Sequence, residues 1–335
     1  MRIVTLEEHF SLPSFSHRVA GQRQTSVRDD ADMPSVIRKT GEKMVDLGAG
    51  RLADMDRNGI SMQVVSKAGN HMGPSADMLD GDEAIAFARD FNNEAAREIA
   101  KHPDRLAAFA HLPMSVPEAA ADELERTVRD LGFRGALISG TVRGDFLDHA
   151  RFAPLLGRAE QLGVPLYIHP GMPSPAIRKA YYDGFAPKIS FGLATFGWGW
   201  HYETALHIMR LAVSGTLDKY PALNLIIGHM GEGLPVMLAR CEHNFGTDLS
   251  HLRRPLAQTI VDQVYITTAG IFTLPPFTAA MTTFGIDRLM FSVDYPYASH
   301  EDGRSLLDHL PLSPADLAKV AHGNADRLLK LRPAT

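Results

Sequence analysis

The sequence predicts a single (β/α)8 barrel spanning residues 1–335, and three observations carry that expectation. Eight short runs rich in β-forming residues recur along the chain. Amphipathic helical patterns lie between most of them, and acidic and imidazole side chains gather where the runs end. Short runs that are apolar at nearly every position read as parallel strands buried on both faces. Strands alternating with helices fit a closed ring better than a doubly wound sheet, and a ring readily brings the ends of the first, fifth, sixth and eighth strands together.

The strands are expected at 3–9, 62–66, 106–113, 133–139, 164–169, 223–229, 264–269 and 289–294. Between them, Ile85, Ala88, Phe91, Ala95 and Ile99 keep the three-and-four spacing of an amphipathic helix over 82–101. Residues 116–131 begin near Pro117 and close at Gly132, both favoured helix-end signals. Helices are also expected at 150–162, 203–218, 233–246, 275–284 and 313–331. Two stretches lack a period: 10–45 after the first strand, and 170–201 after the fifth, where Pro170, Gly171, Pro173, Pro175 and Pro187 join seven aromatic residues from Tyr181 to Trp200. Long loops in compact domains commonly serve as lids, and both are expected to roof the mouth at the strand ends.

Four polar islands occupy those ends. Glu7-Glu8-His9 follows Ile3-Val4-Thr5-Leu6, His169 follows Val164 to Ile168, His229 follows Leu223 to Ile227, and Asp294 follows Leu289 to Val293. The two-residue period of a strand puts Glu7 and His9 on one side and Glu8 on the other. Carboxylate and imidazole are the ligand types that hold a catalytic divalent ion while leaving a position open. In Gly228-His229-Met230-Gly231-Glu232-Gly233 the glycines permit a tight strand-to-helix turn. There His229 is either a further metal ligand or an acid/base oriented by Glu232, whose charge would raise the imidazole pKa.

Bulk properties exclude several classes. A formal charge of −5 argues against a nucleic-acid binder. The one cysteine, Cys241, rules out an internal disulfide and a cysteine-based metal cluster. No apolar run reaches membrane-spanning length and no leader pattern opens the chain, so a cytoplasmic protein without a membrane partner is expected.

At the level of motifs the chain resembles the amidohydrolase-superfamily decarboxylases, the group that includes aminocarboxymuconate-semialdehyde decarboxylase. Its likeness is to the hydroxybenzoate branch, such as the γ-resorcylate and 2,3-dihydroxybenzoate decarboxylases. The resemblance rests on Leu6-Glu7-Glu8-His9-Phe10, Tyr167-Ile168-His169-Pro170, the string from Ile227 to Pro235 and Phe291-Ser292-Val293-Asp294-Tyr295-Pro296. It continues through Asp130 to Phe133, Leu211 to Gly215, Tyr265 to Gly270 and Gly323-Asn324-Ala325, nearly the whole chain.

The resemblance implies one Zn²⁺ or Mn²⁺ per subunit held by Glu7, His9, His169 and Asp294, with His229 and Glu232 as the catalytic pair beside it. It implies that Asp294 protonates the ring carbon of a small hydroxylated aromatic carboxylic acid, so that CO₂ departs. It also implies a homodimer or homotetramer in which Arg240 reaches a neighbouring pocket, and an aromatic pocket wall at Tyr297. Ser139 stands where relatives commonly carry asparagine, and Lys67 and His71 depart from the pattern; both can be solvated surface residues or can recognise a second anionic group. Arg51 and Arg57 read as structural. The rival on the same scaffold is metal-dependent hydrolysis or hydration of a lactone or unsaturated dicarboxylate.

Overall fold

The computed structural model describes residues 1–19, 40–69 and 76–331. Eight parallel strands follow in the expected order: β1 Val4–Phe10, β2 Met62–Lys67, β3 Leu106–Ala108, β4 Ala136–Ser139, β5 Leu166–His169, β6 Leu225–Ile227, β7 Val264–Thr267 and β8 Leu289–Met290. They follow the course of a (β/α)8 barrel, but the backbone ladder runs in two pieces, β1-β2-β3 and β4 through β8. At the first seam a parallel bridge pairs Ala110 with Ala136.

Side chains make the second seam, between β8 and β1. The Glu8 carboxylate accepts from the backbone N–H groups of Val293 (3.0 Å) and Tyr295 (3.3 Å) and from Gln63 Nε2 (3.3 Å). His9 N donates to Tyr295 O at 2.6 Å. Glu8 therefore points away from the mouth, as the strand period requires, and joins the first strand to the last segment. Arg51 supports the same seam. Its buried guanidinium donates to His9 O (2.6 Å) and Gln63 Oε1 (3.1 Å) and lies over the Tyr295 ring. Its role is structural, while Arg57 pairs with Asp54 at the surface.

Several strands are shorter than the sequence suggests, β3 and β8 among them. Past Met290 a side chain takes the place of the ladder: Thr268 Oγ1 donates to Ser292 O (2.7 Å) and Ser292 N donates back to that oxygen (3.0 Å). Apolar side chains fill two cores. Val4, Leu6, Met62, Val64, Phe109, Leu137, Tyr167, Ile226, Tyr265 and Met290 occupy the barrel interior. A larger layer packs outward-facing strand residues such as Val65, Ile138, Ile168, Ile227 and Ile266 against the helices. This two-sided burial is why the strands read as continuous apolar runs.

Helices match the expected places at Gly81–Ile99, Pro117–Asp130, Ala153–Leu162, Leu234–Phe245 and Leu274–Phe284. The expected 203–218 begins earlier and is split, as Gly199–Val213 and Thr216–Lys219. Leu256–Gln263 and His300–His309 are further helices beyond those expected. The expectation of an irregular 170–201 is corrected: helical turns at Pro175–Ile177, Arg178–Tyr182 and Pro187–Ala194 precede Gly199. Pro175 and Pro187 sit in first turns, where the missing N–H has no intrahelical partner to lose. Of the expected lid over 10–45, residues 20–39 lie outside the described residues, and Phe15 packs against Phe87 and Phe91. Among the described residues no helix is long and apolar enough to cross a membrane.

Candidate metal centre

The site begins with an irregularity in β1. Its register with β2 slips between Thr5 and Glu8. Ser292 Oγ accepts from two successive amides, Leu6 N at 3.2 Å and Glu7 N at 2.7 Å, which bulges the strand. Bulges re-aim side chains, and this one turns Glu7 inward although its neighbour Leu6 already packs in the interior. The Glu7 carboxylate there accepts a short hydrogen bond from the Tyr167 hydroxyl and a longer one, 3.4 Å, from Thr267 Oγ1. Burial, and then the charge of Glu7, holds the Tyr167 phenol well above its ordinary pKa, so it stays a donor. Alternation resumes after the bulge and brings His9 to the same side as Glu7.

His169 ends β5, and Asp294 lies four residues beyond Met290 in a left-handed conformation with φ of 71°. One donor atom from each of Glu7, His9, His169 and Asp294 lies within 4.8 Å of all the others. His9 Nε2 is 3.2 Å from Asp294 Oδ1, and His169 Nε2 is 3.2 Å from Glu7 Oε1. His169 Nδ1 donates to the Pro170 carbonyl at 2.7 Å, so its Nε2 faces the cluster with a lone pair when the ring is neutral. The Ser66 hydroxyl, 3.2 Å from His9 Nδ1, can hold that ring in the same way.

The donors fit a divalent cation by what they lack otherwise. Glu7 Oε1, His9 Nε2 and Asp294 Oδ1 are buried without a hydrogen-bond partner among the described residues. Leaving such an atom unsatisfied costs about 1–3 kcal/mol each, more when charged, and a shared cation removes that cost. Two carboxylates with two imidazoles suit Zn²⁺ or Mn²⁺. Gly228 makes room for the cluster, because a Cβ there would come within 2.3 Å of Glu7 Oε2.

His229 and Glu232 stand beside these donors on a turn in which His229, Met230, Gly231, Glu232 and Gly233 all have positive φ. For the three non-glycine residues this conformation costs roughly 1–2 kcal/mol each. It aims His229 Nε2 at Glu7 Oε1 (3.6 Å) and Asp294 Oδ2 (3.8 Å), while Nδ1 donates to Glu232 Oε1 at 2.7 Å. Burial would push the His229 imidazole down, but the charges of Glu232 and Glu7 outweigh it and hold the ring well above its ordinary pKa. Glu232 lies outside the four-donor cluster. Burial would raise its carboxyl, but His229 and His201 outweigh that and bring it down to about 2. Burial would likewise raise Asp294, yet His229 and His9 hold its carboxyl well below the usual range. Asp294 is thus an anion that must receive a proton before it can give one.

The structure brings together six of the eight expected residues: Glu7, His9, His169, Asp294, His229 and Glu232. Tyr297, the seventh, lies at their edge, its ring 5.6 Å from that of His9. Arg240 is not among them; it is exposed on helix Leu234–Phe245, the same helix that exposes Val236 and Met237. Ser139 ends β4 opposite His169 in register, and Lys67 ends β2 with its Nζ 4.0 Å from Asp77. His71 lies outside the described residues. Sequence reasoning missed Tyr167 and His201. The first was legible, because Tyr167 shares a strand face with His169; the second depends on where helix Gly199–Val213 begins.

Comparison with known proteins identifies the family. The amidohydrolase family model matches residues 17–331. The γ-resorcylate decarboxylase of a Rhizobium species is 36% identical, with 98% of each chain covered. The structure of a dihydroxybenzoic acid decarboxylase from a Polaromonas species, with bound manganese and the inhibitor 2-nitroresorcinol, superposes with a TM-score of 0.87 at 34% identity, covering 99% of this chain and 98% of that one. A 2,6-dihydroxybenzoate decarboxylase in complex with 2,6-dihydroxybenzoate gives 0.85 at 33% identity, covering 98% of this chain and 99% of that one. A strand-end donor cluster, a family match along almost the whole chain and full-length relatives that are decarboxylases lead to one statement: the chain belongs to the amidohydrolase family.

Proposed function

We propose that the protein is a metal-dependent decarboxylase of a hydroxylated aromatic acid of the o-hydroxybenzoate type. In this reading Glu7, His9, His169 and Asp294 hold one divalent ion, Zn²⁺ or Mn²⁺. The observation that carries it is the convergence of four donors, three with buried atoms that have no hydrogen-bond partner among the described residues. Manganese with a nitroresorcinol in one relative, and 2,6-dihydroxybenzoate in another, supports both the cofactor and the substrate class.

When bound, such an ion would supply Lewis-acid stabilisation of the acid's anionic oxygens. The remaining chemistry falls to the chain. Glu232 keeps a proton on His229, whose Nε2 points toward Asp294 Oδ2. His229 lends that proton to Asp294, and Asp294 places it on the carboxyl-bearing ring carbon. One C–H bond forms at the expense of aromaticity, the C–C bond to the carboxylate then breaks, and its electron pair restores the ring as CO₂ leaves. Tyr297, against the edge of His9, walls the mouth. Arg240 cannot serve this step from its place on the outer surface of the same chain. With exposed Val236, Met237, Trp198 and Tyr202 it supports a homodimer or homotetramer in which it completes a neighbouring site.

The test is CO₂ release from a panel of hydroxybenzoates, catecholic acids and lactones, with metal-free protein and after Mn²⁺ or Zn²⁺ is added. Metal-dependent CO₂ release from an o-hydroxybenzoate is expected. Lactone opening without CO₂ would replace the reading with hydrolysis.

A further inference from the structure

Glu232 has a second imidazole partner. Its Oε2 lies 2.6 Å from His201 Nδ1, while its Oε1 lies 2.7 Å from His229 Nδ1, so one fully buried carboxylate spans two histidines. The side chains grade toward solvent: Glu232 is 0% exposed, His229 9% and His201 18%. The two rings stand 4.6 Å apart at 64°.

The far nitrogen of His201 has partners for both of its states. Trp200 Nε1–H points at His201 Nε2 from 3.2 Å, and the Phe196 carbonyl oxygen lies 3.0 Å from the same atom. An ionised carboxylate only accepts, so Nδ1 carries a proton and the neutral ring has a bare Nε2. The indole N–H serves that form. Once Nε2 gains a proton it becomes a donor, and the Phe196 carbonyl serves instead. A histidine kept only to hold Glu232 in place needs a partner for one of these states, not both.

We infer that His201 is a positioning residue and the solvent-side proton port of the site, passing protons between bulk water and Glu232. A hydronium O–H bond breaks as an N–H bond forms at Nε2, the Nδ1–H bond then breaks, and that proton joins Glu232 Oε2, leaving water and a neutral His201. No electrons change hands and no co-reactant is needed. The buried pair of His229 and Glu232 is thereby linked to water on the side away from the four-donor cluster, so proton supply need not pass through the substrate mouth. This inference rests on the decarboxylase reading.

The experiment compares wild type, His201→Ala and His201→Gln after Mn²⁺ loading, with 2,6-dihydroxybenzoate as the probe acid. Metal content, kcat and KM are measured, as is deuterium uptake into the ring carbon of the phenol product in D₂O. Glutamine can donate to Glu232 and hold it, but it cannot carry a proton. A ten- to hundredfold loss of kcat and of ring exchange in both variants is expected, with KM and metal content unchanged and with added imidazole restoring His201→Ala. Wild-type kcat in His201→Gln would overturn the port while leaving the decarboxylase standing. A wild type that releases no CO₂ from any acid of the panel would overturn both.

Discussion

Tyr167→Phe isolates the support under the metal centre. The substitution removes one hydroxyl and keeps a ring of the same shape, whose packing against Phe109 (centroids 5.9 Å apart) is preserved. It deletes the short hydrogen bond to Glu7 and leaves Oε2, among the described residues, with the 3.4 Å contact from Thr267. A hydrogen bond to a charged group contributes about 1.5–3 kcal/mol. Groups that orient a metal ligand typically govern 10–100-fold in affinity, or about 1.4–2.7 kcal/mol, so the two scales agree. Chelator competition should therefore show Mn²⁺ binding weakened by about ten- to a hundredfold, with circular dichroism unchanged. Affinity within about twofold of wild type would refute the reasoning, since Glu7 would then not be a ligand held by Tyr167.

Three further outcomes follow. Gly228→Ala sets a Cβ 2.3 Å from Glu7 Oε2, so the carboxylate must move, and metal analysis should find well under one ion per chain; full occupancy would contradict the placement of Glu7. His229→Asn should lower kcat by at least about a hundredfold, the low end for general acid–base catalysis, with metal content retained; lost metal would instead make His229 a ligand. His207 is buried and neutral: it accepts from Leu147 N at 2.9 Å, and burial brings its pKa down to about 4. Between about 6.5 and 4 the unfolded chain binds a proton that the folded one refuses. Stability should thus be complete above about pH 6.5 and fall, on the order of 3 kcal/mol, as pH drops to about 4. Denaturant melts of His207→Gln should show a flatter slope across that window, and an identical slope would count against it.

The residues that carry charge into the mouth were legible because parallel strands buried on both faces leave polar groups only at their ends. Glu7, His9, His169 and Asp294 each broke an apolar run, and the strand period separated Glu8 from its neighbours. The glycines at 228, 231 and 233 marked a tight turn in the right place. Other features depend on distant partners. The bulge that turns Glu7 inward is made by the Ser292 hydroxyl, far away in sequence, and the Thr268 hydroxyl takes the place of the ladder where β8 ends early. No local pattern in Trp198-Gly199-Trp200-His201 indicates that the imidazole will meet Glu232, because that contact follows from the start of a helix placed by tertiary packing. Proline density suggested irregular chain after the fifth strand, whereas Pro175 and Pro187 open short helices.

The proposed centre holds one divalent ion among Glu7, His9, His169 and Asp294. Anomalous scattering from a zinc-loaded crystal, recorded at the zinc edge, tests it directly. A single strong peak per chain is expected, about 2.0–2.2 Å from Glu7, His9 Nε2, His169 Nε2 and Asp294. A peak elsewhere, or none at these donors in fully loaded protein, would contradict it.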